Sequence, residues 1–138
     1  MRGWLAALLL AGIPAIAVAA PPVCEPPRGF EGQKRLESTD VVVLYRTLPP
    51  AIKVGQHFAV EAIVCPGRTA GGDGGLIVDA YMPEHRHGMN YRPRVTGKGN
   101  GRYLADGFLF HMPGHWQLRF DVERDGKTER LVTDIDLE

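Results

Sequence analysis

Trp116-Gln117-Leu118-Arg119-Phe120-Asp121-Val122-Glu123 alternates apolar and polar residues without a break. Successive side chains of an extended strand point to opposite faces. Trp116, Leu118, Phe120 and Val122 therefore share one face, and Gln117, Arg119, Asp121 and Glu123 share the other. Period two over this length means a strand with one face buried and one face wet.

The same reading extends in both directions. Asp125-Gly126 is a hairpin signal, and Thr128 to Leu137 is the last strand, with Leu131, Ile135 and Leu137 facing in. Upstream, Arg102 to Phe110 reads as a strand with a bulge at Gly107. Gly97 to Gly101 is a turn, and Arg92 to Gly97 a short strand. Leu76 to Met82 alternates, with Leu76, Val78, Ala80 and Met82 on one face. Gln56 to Cys65 alternates too: Phe58, Val60, Ala62 and Val64 against His57, Ala59, Glu61 and Ile63. Val41 to Thr47 is β-branched and aromatic, hence a first strand. Arg68 to Gly75 is a glycine-rich loop. No segment of ten residues keeps a helical period. The expectation is an all-β protein, an immunoglobulin-like seven-stranded antiparallel β-sandwich.

The start of the chain is of another kind. Arg2 followed by the apolar run Leu5 to Val18 and the small-x-small triplet Ala17-Val18-Ala19 reads as a secretory signal over residues 1–19. Residues 20–39 read as an irregular proline-rich lead, because Pro21, Pro22, Pro26 and Pro27 deny ladder hydrogen bonds. Residues 40–138 form the one expected domain. With 16 basic and 16 acidic residues the chain is neutral, so it offers no basic stripe for nucleic acid and no polybasic patch for a membrane. The expected location is periplasmic or secreted. There, an isolated pair such as Cys24 and Cys65 forms a structural disulfide.

Two short runs carry the chemistry. Met82-Pro83-Glu84-His85-Arg86-His87-Gly88-Met89 and His111-Met112-Pro113-Gly114-His115 hold four of the five histidines and three of the four methionines. Imidazole accepts copper, zinc or nickel, and thioether sulfur selects Cu(I). Structural zinc sites use cysteine or more histidine, so copper ranks first and zinc second. In an extended segment His85 and His87 point to the same side. Gly88 lets Met89 return toward them. Met112 or His115 from the second run completes the set. If successive strands run antiparallel, the connection after the third strand and the one after the fifth lie at the same end. His57 starts at that end too, while Cys24 and Cys65 meet at the other. The expected metal ligands are His85, His87, Met89, Met112 and His115. Met82 reads as core, His111 as a structural histidine continuing its strand, His57 as exposed, and Trp116 as the core aromatic.

The signal, the all-β pattern, Met82-Pro83-x-His85-x-His87-Gly88-Met89 and Phe110-x-Met112-Pro113-Gly114-x-Trp116-x-Leu118 together resemble the YtkA-like domain over roughly residues 40 to 138. That family is similar to FixH and CopC-type periplasmic sandwiches, and the resemblance implies copper handling. It departs from CopC-type proteins in having no histidine near the mature N-terminus.

The functional expectation is a copper carrier or buffer that exchanges metal with a donor or acceptor protein. The alternative is a non-metal module whose Met/His/aromatic end docks a partner protein. No Gly-x-Ser-x-Gly, phosphate-binding loop or His-Glu-x-x-His occurs, so no enzyme is expected.

Overall fold

The computed structural model describes residues 24–65 and 75–138. The expected signal segment and most of the expected glycine-rich loop lie outside the described residues. Nine strands run in order: β1 Lys34–Glu37, β2 Val42–Leu48, β3 His57–Val64, β4 Gly75–Met82, β5 His87–Gly88, β6 Arg94–Gly99, β7 Arg102–Leu109, β8 Gly114–Arg124 and β9 Lys127–Leu137. They build two antiparallel sheets, β1-β2-β3-β7-β6 and β5-β4-β8-β9. All seven expected strands are present, within three residues at their ends. β1 and β5 are additional.

The alternating faces meet between the sheets. Phe58, Val60, Ala62 and Val64 of β3, Leu76 to Met82 of β4 and Trp116 to Val122 of β8 contribute every second residue to one buried cluster. Trp116, Leu118 and Phe120 have no exposed surface. Burial of such side chains stabilises by about 1.5–3 kcal/mol each. Tyr45 packs on Phe120 across the core at 4.9 Å. The β8–β9 hairpin turns on Asp125 and Gly126, both at positive φ, the conformation a two-residue turn requires. The bulge also appears: Phe58 pairs with Phe108 and Val60 with Ala105, so β7 carries an extra residue at Asp106-Gly107.

The lead is less irregular than its prolines imply. β1 pairs with β2, Lys34 opposite Tyr45. Ahead of it Phe30 is buried with Leu44, Ile63 and Cys65 in a second cluster on the outer side of the five-stranded sheet. This covers Ile63, which alternation alone assigns to the wet face. Arg46 ties the lead down by donating to the Gly29 carbonyl at 2.8 Å and lying over the Phe30 ring at 4.7 Å. Cys24 and Cys65 are disulfide-bonded, with Cα atoms 5.6 Å apart. The disulfide fits an oxidising compartment. Among the described residues no helix is long and apolar enough to cross a membrane.

The chain changes sheets after β3, after β5 and after β7. The last two changes occur at one end, where β4 finishes and β8 begins. The run His111 to His115 makes one of these crossings, and Met82 to Met89 is the β4–β5 hairpin that leads into the other, so both runs sit at this rim of the core.

Candidate metal centre

The first run is a tight hairpin. Met82 pairs with His87 and Tyr81 with Gly88, and the Arg86 amide donates to the Pro83 carbonyl at 3.2 Å. Pro83 to Arg86 is thus a turn, with Arg86 at positive φ. The extended geometry expected for His85 and His87 does not hold, because His85 sits in the turn and His87 in β5. The rings still approach, with centroids 5.7 Å apart. Gly88 does not turn the chain; it runs in the ladder. A Cβ there would lie 3.1 Å from the Ala80 carbonyl oxygen.

The second run arches from β7 to β8. The Trp116 indole donates to the Met112 carbonyl at 3.1 Å and closes the arch. Trp116 also stacks on Phe110 at 4.5 Å. His111 stands edge-on to Trp116 at 5.4 Å, and His87 does the same at 6.0 Å. His87 and His111 are 5.3 Å apart. A continuous series of rings therefore leads from Phe110 and Trp116 in the core, through His111 and His87, to His85 at the surface.

Ring spacing can be compared with metal geometry. With metal–nitrogen bonds of about 2.0 Å, two imidazoles sharing an ion have centroids roughly 5 Å apart at a tetrahedral angle and about 6 Å apart when opposed. The observed 5.3 and 5.7 Å fall in that interval. Among the described residues, no three His, Cys, Asp or Glu side chains converge as a metal-holding group. The His87 Nδ1–H donates to the Gly88 carbonyl at 2.9 Å, because a carbonyl can only accept. That assigns the proton to Nδ1 and leaves the Nε2 lone pair free for a ligand. His111 Nδ1 is buried with no hydrogen-bond partner. Such an atom is costly to leave unmade, and an ion is one way to satisfy it.

The sulfurs divide. Met82 is fully buried in the core, as alternation indicates. Its Cε lies 3.1 Å from where a Cβ of Gly114 would stand, and Gly114 has φ +126°, so a side chain at Gly114 would crowd the methionine. Met89 and Met112 are half-buried against the same core, one from each run.

His115 goes elsewhere. It precedes Trp116, so its side chain lies on the outer face of the four-stranded sheet. Its Nδ1 is 2.7 Å from Asp136 Oδ1 and its Nε2 3.1 Å from Asp134 Oδ1. A carboxylate accepts only, so the Nδ1–H donates to Asp136, and the two carboxylates together favour the doubly protonated ring, which has no lone pair for a metal. The hydrogen bond to Asp136 raises its pKa above the ordinary 6.5, and Asp134 and Glu84 add to that. His111, which continues its strand and reads as structural in the sequence, takes the place beside His87 that His115 was expected to hold. The signal for it was its position immediately ahead of the arch. His57 is exposed at the same end, opposite Leu109.

No family model matches the chain, and no curated protein matches it. The fold is similar to the crystal structure of a DUF4426 family protein from Pseudomonas aeruginosa PAO1. The TM-score is 0.52 and the identity 12%, over 78% of this chain and 95% of that one. At this identity the likeness speaks for the β-sandwich fold alone.

Proposed function

We propose that the protein is a periplasmic or secreted copper carrier or buffer, that the paired His87 and His111 hold the ion with Met89 or Met112 adding a soft ligand, and that the exposed His85 closes onto it when the ion binds. The observation that carries the reading is the His87–His111 approach above Trp116, together with the unpartnered His111 Nδ1. Imidazole with thioether is a donor set that suits copper, and Cu(I) above all. The ion would bind at the rim of the sandwich, half-exposed, as exchange with a donor or acceptor protein requires. The sheet order, with β2-β3-β7-β6 facing β4-β8-β9, supports an immunoglobulin-like arrangement of the constant type. The motifs at 82–89 and 110–118 support a YtkA-like assignment.

The test is a competition titration of the mature protein with Cu(I) and Cu(II). About one copper per chain is expected, together with a rise in melting temperature, since a ligand that binds only the folded state must stabilise it. Replacing His85 and His87 together by alanine should abolish both effects. Full affinity in that double variant would remove the site. No stabilisation by copper or zinc would leave the Met/His end as a docking surface for a partner protein.

A further inference from the structure

A cleft opens at the same end, on the outer face of the five-stranded sheet. Its volume is about 370 Å³, and His57, Tyr91, Arg92, Arg94, Asp106 and Leu109 line it. Three elements converge there. His57 opens β3 opposite Leu109. Arg94 opens β6 opposite Asp106. Tyr91 and Arg92 lie in the segment entering β6. The bulge at Asp106-Gly107 breaks the regular surface of β7 at this point, and bulges re-aim the side chains beside them.

The charges of this cleft are unspent. Among the described residues no side-chain hydrogen bond or ion pair holds the guanidinium groups of Arg92 and Arg94, whereas those of Arg46 and Arg130 close on Glu61 and Asp121. Asp106 faces Arg94 across the ladder without forming an ion pair. Two guanidinium groups against one carboxylate leave the lining positive. Tyr91, 62% exposed, adds an aromatic face with a hydroxyl. Guanidinium forks match the paired oxygens of carboxylate and phosphate. The cleft lies at the small end of the range for small-molecule sites, which suits a compact anion.

We propose that this cleft binds a small oxyanion, a carboxylate or phosphate group, between Arg92 and Arg94, with Tyr91 against the body of the ligand. None of the proposed copper ligands lines it, so the two readings stand or fall separately.

The test is a two-dimensional NMR titration of the whole chain with inorganic phosphate and, in a second arm, with succinate, at constant ionic strength. Saturable shifts centred on His57 and residues 91–94 are expected in at least one arm, and the tighter arm identifies the anion. Arg92→Gln with Arg94→Gln should weaken binding by at least about tenfold, the loss expected for charge-assisted hydrogen bonds. Asp106→Asn removes the opposing carboxylate and should tighten binding, a gain that damage to the fold would not produce. Lys98→Gln, a basic residue outside the cleft, should change nothing. Shifts that never saturate, or that spread over all basic residues equally, would overturn the proposal. So would equal affinity in the arginine double variant, or weaker binding in Asp106→Asn.

Discussion

The imidazole of His87 stands 5.3 Å from that of His111, although His87 lies in a strand of the four-stranded sheet and His111 in the connection between the two sheets. His87 enters from the hairpin on β4, and His111 leaves β7 on the way to β8. Nothing local in the chain brings them together. They meet because the β4–β5 hairpin and the β7–β8 arch lie at the same rim, both against Trp116.

His111→Leu should separate stability from binding at this site. Burying an unpartnered polar atom costs about 1–3 kcal/mol, and leucine fills similar space without one. The metal-free variant should therefore be more stable than the parent by about 1 kcal/mol in urea denaturation. Its copper affinity should fall by at least an order of magnitude in competition with a chromogenic chelator. An unchanged affinity would exclude His111 as a ligand.

Trp116 provides an optical reporter. The chain has two tryptophans, and Trp4 lies in the expected signal segment, so a chain prepared from residue 20 onward emits from Trp116 alone. Its ring is 5.4 Å from His111 and 6.0 Å from His87, close enough for a bound Cu(II) ion to quench it. Stoichiometric quenching is expected in the parent, and none in His87→Ala with His111→Leu. Trp116→Ala should cost about 3–5 kcal/mol, as removal of a buried aromatic does.

The sheets were legible because alternation reports burial on one face. Trp116 to Glu123 read correctly residue by residue, as did Phe58, Val60, Ala62 and Val64. The buried Ile63 did not, because the surface that covers it comes from Phe30 and the disulfide. A lone aromatic among prolines and glycines carries no period. The meeting of the two His/Met runs followed from strand parity. The choice between His111 and His115 did not, since it depends on which residue the arch turns inward. Trp116 fixes that, with its indole anchored to the Met112 carbonyl, and its neighbour His115 is then directed outward to Asp134 and Asp136.

Cys24→Ser with Cys65→Ser should destabilise the protein by about 4 kcal/mol in the chain-entropy account of a loop this long; the cysteines are 41 positions apart. The loss should begin locally. Phe30 and the β1 edge depend on that tether, so amide exchange should rise first at residues 30–37 and on β2, while the core around Phe120 stays protected. Copper binding at the opposite end should be retained in the variant, measured below its melting temperature.

His115 should make stability depend on pH in a defined direction. Its hydrogen bond to Asp136, followed by the charges of Asp136, Asp134 and Glu84, raises its folded pKa above the ordinary 6.5. A group whose pKa is higher folded than unfolded binds its proton more tightly in the native state. The stabilisation is complete below the unfolded pKa and is lost as pH rises through the folded one. Denaturation midpoints measured from pH 5.5 to 9 should therefore fall more steeply in the parent than in His115→Gln, with the difference concentrated just above pH 6.5. Because the imidazole already donates to Asp136 and lies against Asp134, the same substitution should leave copper affinity unchanged. A variant that lost copper would return His115 to the ligand set and require the ring to swing off the sheet face.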